Sequence, residues 1–82
     1  MSEQAQNVAL QHALDLAAQH QNADRFPEAE AIYREVLEVE PNQPDAVHML
    51  GVLAYKVGQL ELAVELISKA LVINPNIAEP YF

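Results

Sequence analysis

The stretch Pro44–Asn76, PDAVHMLGVLAYKVGQLELAVELISKALVINPN, decides the fold. Val47, Leu50, Gly51, Ala54 and Val57 recur at i, i+3, i+4, i+7 and i+10, the spacing of one face of an α-helix. Gly58 then interrupts the pattern, at a place suited to a left-handed helix end. The apolar spacing resumes at Leu60, Ala63, Val64, Ile67, Ala70 and Leu71, which predicts a second helix with these residues on its core face. Asn74-Pro75-Asn76 closes it, because proline lacks the amide donor that a continuing helix needs. The unit reads as a helix–turn–helix hairpin.

The rest of the chain is a second version of the same unit. Pro41 and Pro75 lie 34 residues apart, and the same offset relates Leu16 to Leu50, Ala29 to Ala63, Leu37 to Leu71 and Asn42 to Asn76. It also pairs Ala17 with Gly51, Phe26 with Leu60, Tyr33 with Ile67 and Val39 with Ile73. A repeat of this length with two helices per unit marks a solenoid. The expected organisation is an N-terminal extension over 1–9, one unit over 10–43, a second over 44–77 and the start of a third over 78–82. The first helix is predicted at about 4–22 and the second at about 27–39, with Pro27 in a first turn that can spare an amide. Asp24 stands where the second unit has Gly58, and Asp tolerates a left-handed backbone better than most residues. Small residues at Gly51 and Ala63, and at Ala17 and Ala29, predict close approach of the paired helices. The i, i+4 pairs Glu30/Arg34 and Glu65/Lys69 predict weak ion pairs on the exposed faces.

Composition bounds the function. The chain has 82 residues, is 51% hydrophobic and contains no cysteine, which excludes a disulfide or thiolate-metal framework. A net charge of −8 argues against nucleic acid and anionic lipid as partners, since both require a Lys/Arg surface. No apolar run approaches a membrane span. Met1-Ser2-Glu3-Gln4 lacks the cationic start of a secretory signal, so a cytoplasmic protein is expected.

No catalytic residue emerges. His12 and His20 are too far apart along one helix to share an ion, and Asp15 beside His12 does not complete a zinc site. The two serines, Ser2 and Ser68, have no histidine close in sequence to make a nucleophilic triad. Glu28 and Glu30 sit on a solvated helix face, and no glycine-rich phosphate loop exists. No metal and no cofactor are expected, and the chain is read as not an enzyme.

Residue by residue, the units resemble the tetratricopeptide repeat. That family places a large residue, Leu-Gly, an aromatic, Ala, an aromatic, Ala and Pro at fixed offsets. The second unit offers Val47, Leu50-Gly51, Ala63, Ile67, Ala70 and Pro75, and the first offers Ala13, Leu16-Ala17, Ala29, Tyr33, Val36 and Pro41. Departures are Ala13 and Val47 where tryptophan is common, and His20 and Ala54 where an aromatic is common. The resemblance implies an all-α fold: tandem antiparallel helix hairpins in a short right-handed superhelix.

A second stripe of the third helix, distinct from its core face, runs through Asp45, His48, Val52 and Tyr55, with Lys56 next in line. The first-unit equivalents are Gln11, Leu14, Ala18 and Gln21, with Asn22. In the family these offsets line a concave groove for extended peptides, so the resemblance implies a protein or peptide partner. Repeats that clamp the acidic tails of heat-shock chaperones carry Lys and Asn where this chain has Leu14, Ala18, His48 and Val52. Asp15, Asp45, Leu14, Val52 and Tyr55 favour an apolar or basic segment instead. The second unit also resembles repeats that precede protein O-glycosyltransferases, although Asp15 and Met49 occupy the offsets of their asparagine ladder.

Three readings follow. The chain is a non-catalytic interaction module, or the N-terminal repeat segment of a longer glycosyltransferase, or a structural unit that assembles with copies of itself. For the last, the second unit is expected to lack a polar capping helix, with Tyr81 and Phe82 giving an apolar C-terminal face. A homo-oligomer through that face is the corresponding expectation.

Overall fold

The structure, a computed structural model, describes residues 3–76. Tyr81, Phe82 and the start of the third unit lie outside the described residues. Four α-helices follow one another: α1 (Glu3–Asn22), α2 (Phe26–Val39), α3 (Pro44–Lys56) and α4 (Leu60–Ile73). Among the described residues there is no strand. The fold is all-α. Each helix boundary falls within about a residue of its sequence expectation.

The two intra-unit turns are built alike. Asp24 (φ 61°) and Gly58 (φ 86°) are both left-handed. In the first turn Arg25 N–H donates to His20 O at 2.8 Å and Asp24 N–H to Gln21 O at 3.0 Å. In the second, Gln59 N–H donates to Ala54 O at 2.8 Å and Gly58 N–H to Tyr55 O at 3.1 Å. These paired bonds form the Schellman closure, which satisfies carbonyls that the end of a helix would otherwise orphan. Asp24 therefore does what a glycine does one unit later. Between the units, the Gln43 side chain accepts from Ala46 N–H at 2.8 Å and caps α3.

Helix α3 is the centre of the molecule. It packs on α4, its hairpin partner, and on α1 and α2 of the first unit. Ala46, Leu50 and Leu53 join Leu14, Ala17, Ala29, Tyr33 and Val36 in one buried cluster. Val47, Gly51 and Ala54 are buried as well. A helix with apolar residues on most of its circumference needs neighbours on several sides, and α3 has them.

Helix α4 differs from expectation. Among the described helices it packs only on α3. Ala63 and Ala70 are buried, yet Leu60, Val64 and Leu71 are exposed although the periodicity assigns them to the core face. Val57 is exposed too. The reason lies in the first unit, where the matching positions Phe26, Glu30 and Leu37 are all partly buried. There α3 lies over the hairpin, and no described element does the same for α3 and α4.

Two further differences are local. Gly51 approaches α4 as its size predicts, but nearest to Leu66 and Ile67 rather than Ala63. Glu30 and Arg34 pair at 2.9 Å, whereas Glu65 and Lys69, both exposed, do not come within salt-bridge distance. An exposed pair of long side chains returns too little energy to hold them still.

The two glycines separate packing from backbone strain. A Cβ on Gly51 would stand 2.8 Å from Ile67 Cγ1, whereas one on Gly58 would meet nothing within 4 Å. Gly51→Ala is expected to lower stability by about 1 kcal/mol, an overpacking cost of about 1–3 offset by about 1 of helix propensity. Gly58→Ala is expected to lower it by about 1–2 kcal/mol through the left-handed backbone alone. Urea denaturation of both variants, with an unchanged slope, checks this.

Candidate interaction surface

The residues proposed to meet a partner divide into two groups once α3 is seated on α1. Leu14 is 8% exposed and Gln21 is 4% exposed, so neither offers surface to a ligand. Leu14 is buried in the cluster that α3 enters with Ala46, Leu50 and Leu53, and Gln21 is buried against Tyr33 of α2. Gln11 and Asn22 are exposed and Ala18 is half-buried. On α3, Asp45, Tyr55 and Lys56 are exposed while His48 and Val52 are half-buried.

The internal repeat explains the division. Leu14 and Gln21 match His48 and Tyr55, so these four hold one stacking position in the two units. The first pair is buried, Leu14 in the cluster that includes α3 residues and Gln21 against Tyr33. Tyr55, 65% exposed, stands at the open end beside Leu60 and Val64. The remaining positions form two parallel lines, Gln11, Ala18 and Asn22 on α1 and Asp45, Val52 and Lys56 on α3. They lie on α1 and α3, two helices that touch each other.

Asp15 and Met49, which the family resemblance set at ladder offsets, complete these lines. Their signal is spacing: 11, 15, 18, 22 and 45, 49, 52, 56 each advance by four, three and four, one turn at a time. Asp15 is exposed and Met49 half-buried against the core. Leu10, Gln11 and Glu40 border a hollow of about 350 Å³ that reaches Gln43 and Pro44. A second hollow, of about 220 Å³, lies away from these lines, between Phe26, Arg34, Leu53 and Val57.

Gln21 is held where it is by chemistry inside the core. Tyr33 Oη donates to Gln21 Oε1 at 3.1 Å. Gln21 is the one buried polar residue among those described, and no buried side-chain polar atom among them lacks a partner. Burial also pushes the Tyr33 phenol above its ordinary pKa of 10.0, because an anion there would lose its water. The other titratable neighbours are at the surface. His20 Nδ1 accepts from Arg25 Nε at 2.9 Å, and Gln11 Nε2 donates to Asp15 Oδ1 at 3.1 Å. Among the described residues no three His, Cys, Asp or Glu side chains are grouped as a metal site would require. Nor is any described helix long and apolar enough to cross a membrane.

Two helical hairpins of like sequence packed through α3 define a helical-repeat protein. The comparison with known families agrees. A family profile described as tetratricopeptide repeat matches residues 22–81, well over half of the chain. The chain belongs to the tetratricopeptide repeat family, whose repeats are typically non-catalytic modules for protein interaction. No curated protein matches it.

Tyr33→Phe leaves Gln21 Oε1 buried without its donor and is expected to cost about 1–3 kcal/mol. The raised phenol pKa adds a pH signature. Its stabilisation is complete below the unfolded value near 10.0 and is lost as pH rises through the higher folded value. Chemical melts at rising alkaline pH are expected to lose less stability in Tyr33→Phe than in the parent chain.

Proposed function

We propose that this chain binds an extended peptide or a segment of a partner protein along the α1–α3 crevice, without catalysis. The observation that carries the reading is a pair of lines on neighbouring helices, Gln11–Asp15–Ala18–Asn22 and Asp45–Met49–Val52–Lys56, exposed at their polar positions and half-buried at Ala18, Met49 and Val52. Amides at Gln11 and Asn22 suit main-chain recognition, since each offers both a donor and an acceptor. Ala18, Met49 and Val52 give apolar contact between them. A cytoplasmic setting suits an acidic chain without cysteine.

A second reading has its own observation. Tyr55, Leu60 and Val64 leave an apolar end on the second unit, and apolar patches of this kind often mark protein contacts. A homo-oligomer would form there, with His48 and Tyr55 as stacking rather than ligand-binding residues.

Two sets of substitutions separate the readings. Asn22→Ala with Val52→Lys is expected to abolish capture of partner protein while sedimentation stays unchanged. His48→Ala with Tyr55→Ala is expected to leave capture intact. If instead the second pair shifts the oligomeric state and the first pair changes nothing, self-assembly is the function.

A further inference from the structure

Resting on the groove reading above, we infer that the occupant is an extended segment carrying a basic, a central aliphatic and an acidic side chain. It lies along α3 with its cation at Asp45 and its anion at Lys56. Asp45, Met49, Val52 and Lys56 follow at i, i+4, i+7 and i+11 and so form one line on the helix. The line has an exposed carboxylate at one end, an exposed ammonium at the other, and half-buried apolar surface between them.

Spacing sets the ligand. From Asp45 to Lys56 the helix advances about 16 Å, a distance that about five residues of extended chain would span. Charge then selects its ends. Neither Asp45 nor Lys56 forms a salt bridge among the described residues. The chain has four Lys and Arg. Arg25 is bonded to His20 and Arg34 to Glu30. Lys69 lies on α4, so Lys56 is the one Lys or Arg on α1 or α3. On the α1 line, Asp15 is already engaged by Gln11, and both ends are neutral amides. The acidity of the whole chain would attract any cation anywhere on the surface. What this line adds is opposite charges at a fixed separation, which rewards a ligand of matching polarity over one that is merely basic.

Asp45 and Lys56 also lie in the first and last turns of α3, where each suits the helix dipole. The test must separate that role from recognition. Four acetylated, amidated peptides are titrated into the isotope-labelled 82-residue chain and followed by amide NMR. They are Lys-Gly-Leu-Gly-Ala-Glu and its versions ending in two Lys, two Glu or two Gln. The mixed peptide is expected to move α1 and α3 amides and to bind about two- to fivefold more tightly than the Gln version. About 0.5 M salt is expected to erase the difference. Asp45→Asn and Lys56→Gln are each expected to remove part of it while leaving the circular dichroism unchanged. Equal affinities for all four peptides, or tightest binding by the two-Lys peptide, overturn the charge inference and leave the groove standing. Loss of helix in Asp45→Asn or Lys56→Gln with no change in peptide preference assigns both residues to the helix ends and overturns it as well. No shift at α1 or α3 with any peptide overturns the groove and the inference together.

Discussion

Everything in this molecule passes through the two buried sides of α3. On one side Gly51 lies against Leu66 and Ile67 of α4, and on the other Ala46, Leu50 and Leu53 enter the cluster built by α1 and α2. Helix α4 has no other described neighbour, and the first unit meets the second only through α3. An isolated helical hairpin buries too little apolar surface to offset the entropy of ordering its chain. Sharing α3 between two interfaces lets the same residues serve both units. Leu50 and Leu53 therefore stabilise more than the helix that carries them.

That arrangement also makes the surface. Packing α3 against the first unit helps to bury Leu14 and sets the rows on α1 and α3 on neighbouring helices. The groove is a by-product of stacking, and its side chains sit on rigid helices rather than on loops. The same geometry leaves the far side of α3 and α4 apolar at Tyr55, Leu60 and Val64. Groove and open end thus come from one packing rule applied once within the described chain.

Much of the fold was legible from residues alone, because the signals were local. Gly58 and Asp24 marked the turns, Pro27 and Pro44 marked helix starts, and the offset between Pro41 and Pro75 set the repeat. The site was legible only in part. Helical periodicity tells which residues share a face but not which neighbour lies against it, so Leu14 and Gln21 looked like groove positions. Gln21 is polar, and its burial is intelligible only with Tyr33 Oη opposite. Leu60, Val64 and Leu71 carry a core pattern that no described element completes. Asp15 and Met49 were legible through the family's ladder offsets, which follow Gln11 and Asp45 at i+4.

If α3 couples the two hairpins, weakening its contact with the first unit must loosen both. Leu53→Ala removes a buried side chain at that contact, at a cost of about 2–5 kcal/mol. Amide hydrogen exchange resolved by residue measures the outcome most directly. The account predicts that protection falls by a common factor in α2, α3 and α4. Loss of protection in α3 and α4 alone, with α1 and α2 unchanged, would contradict it.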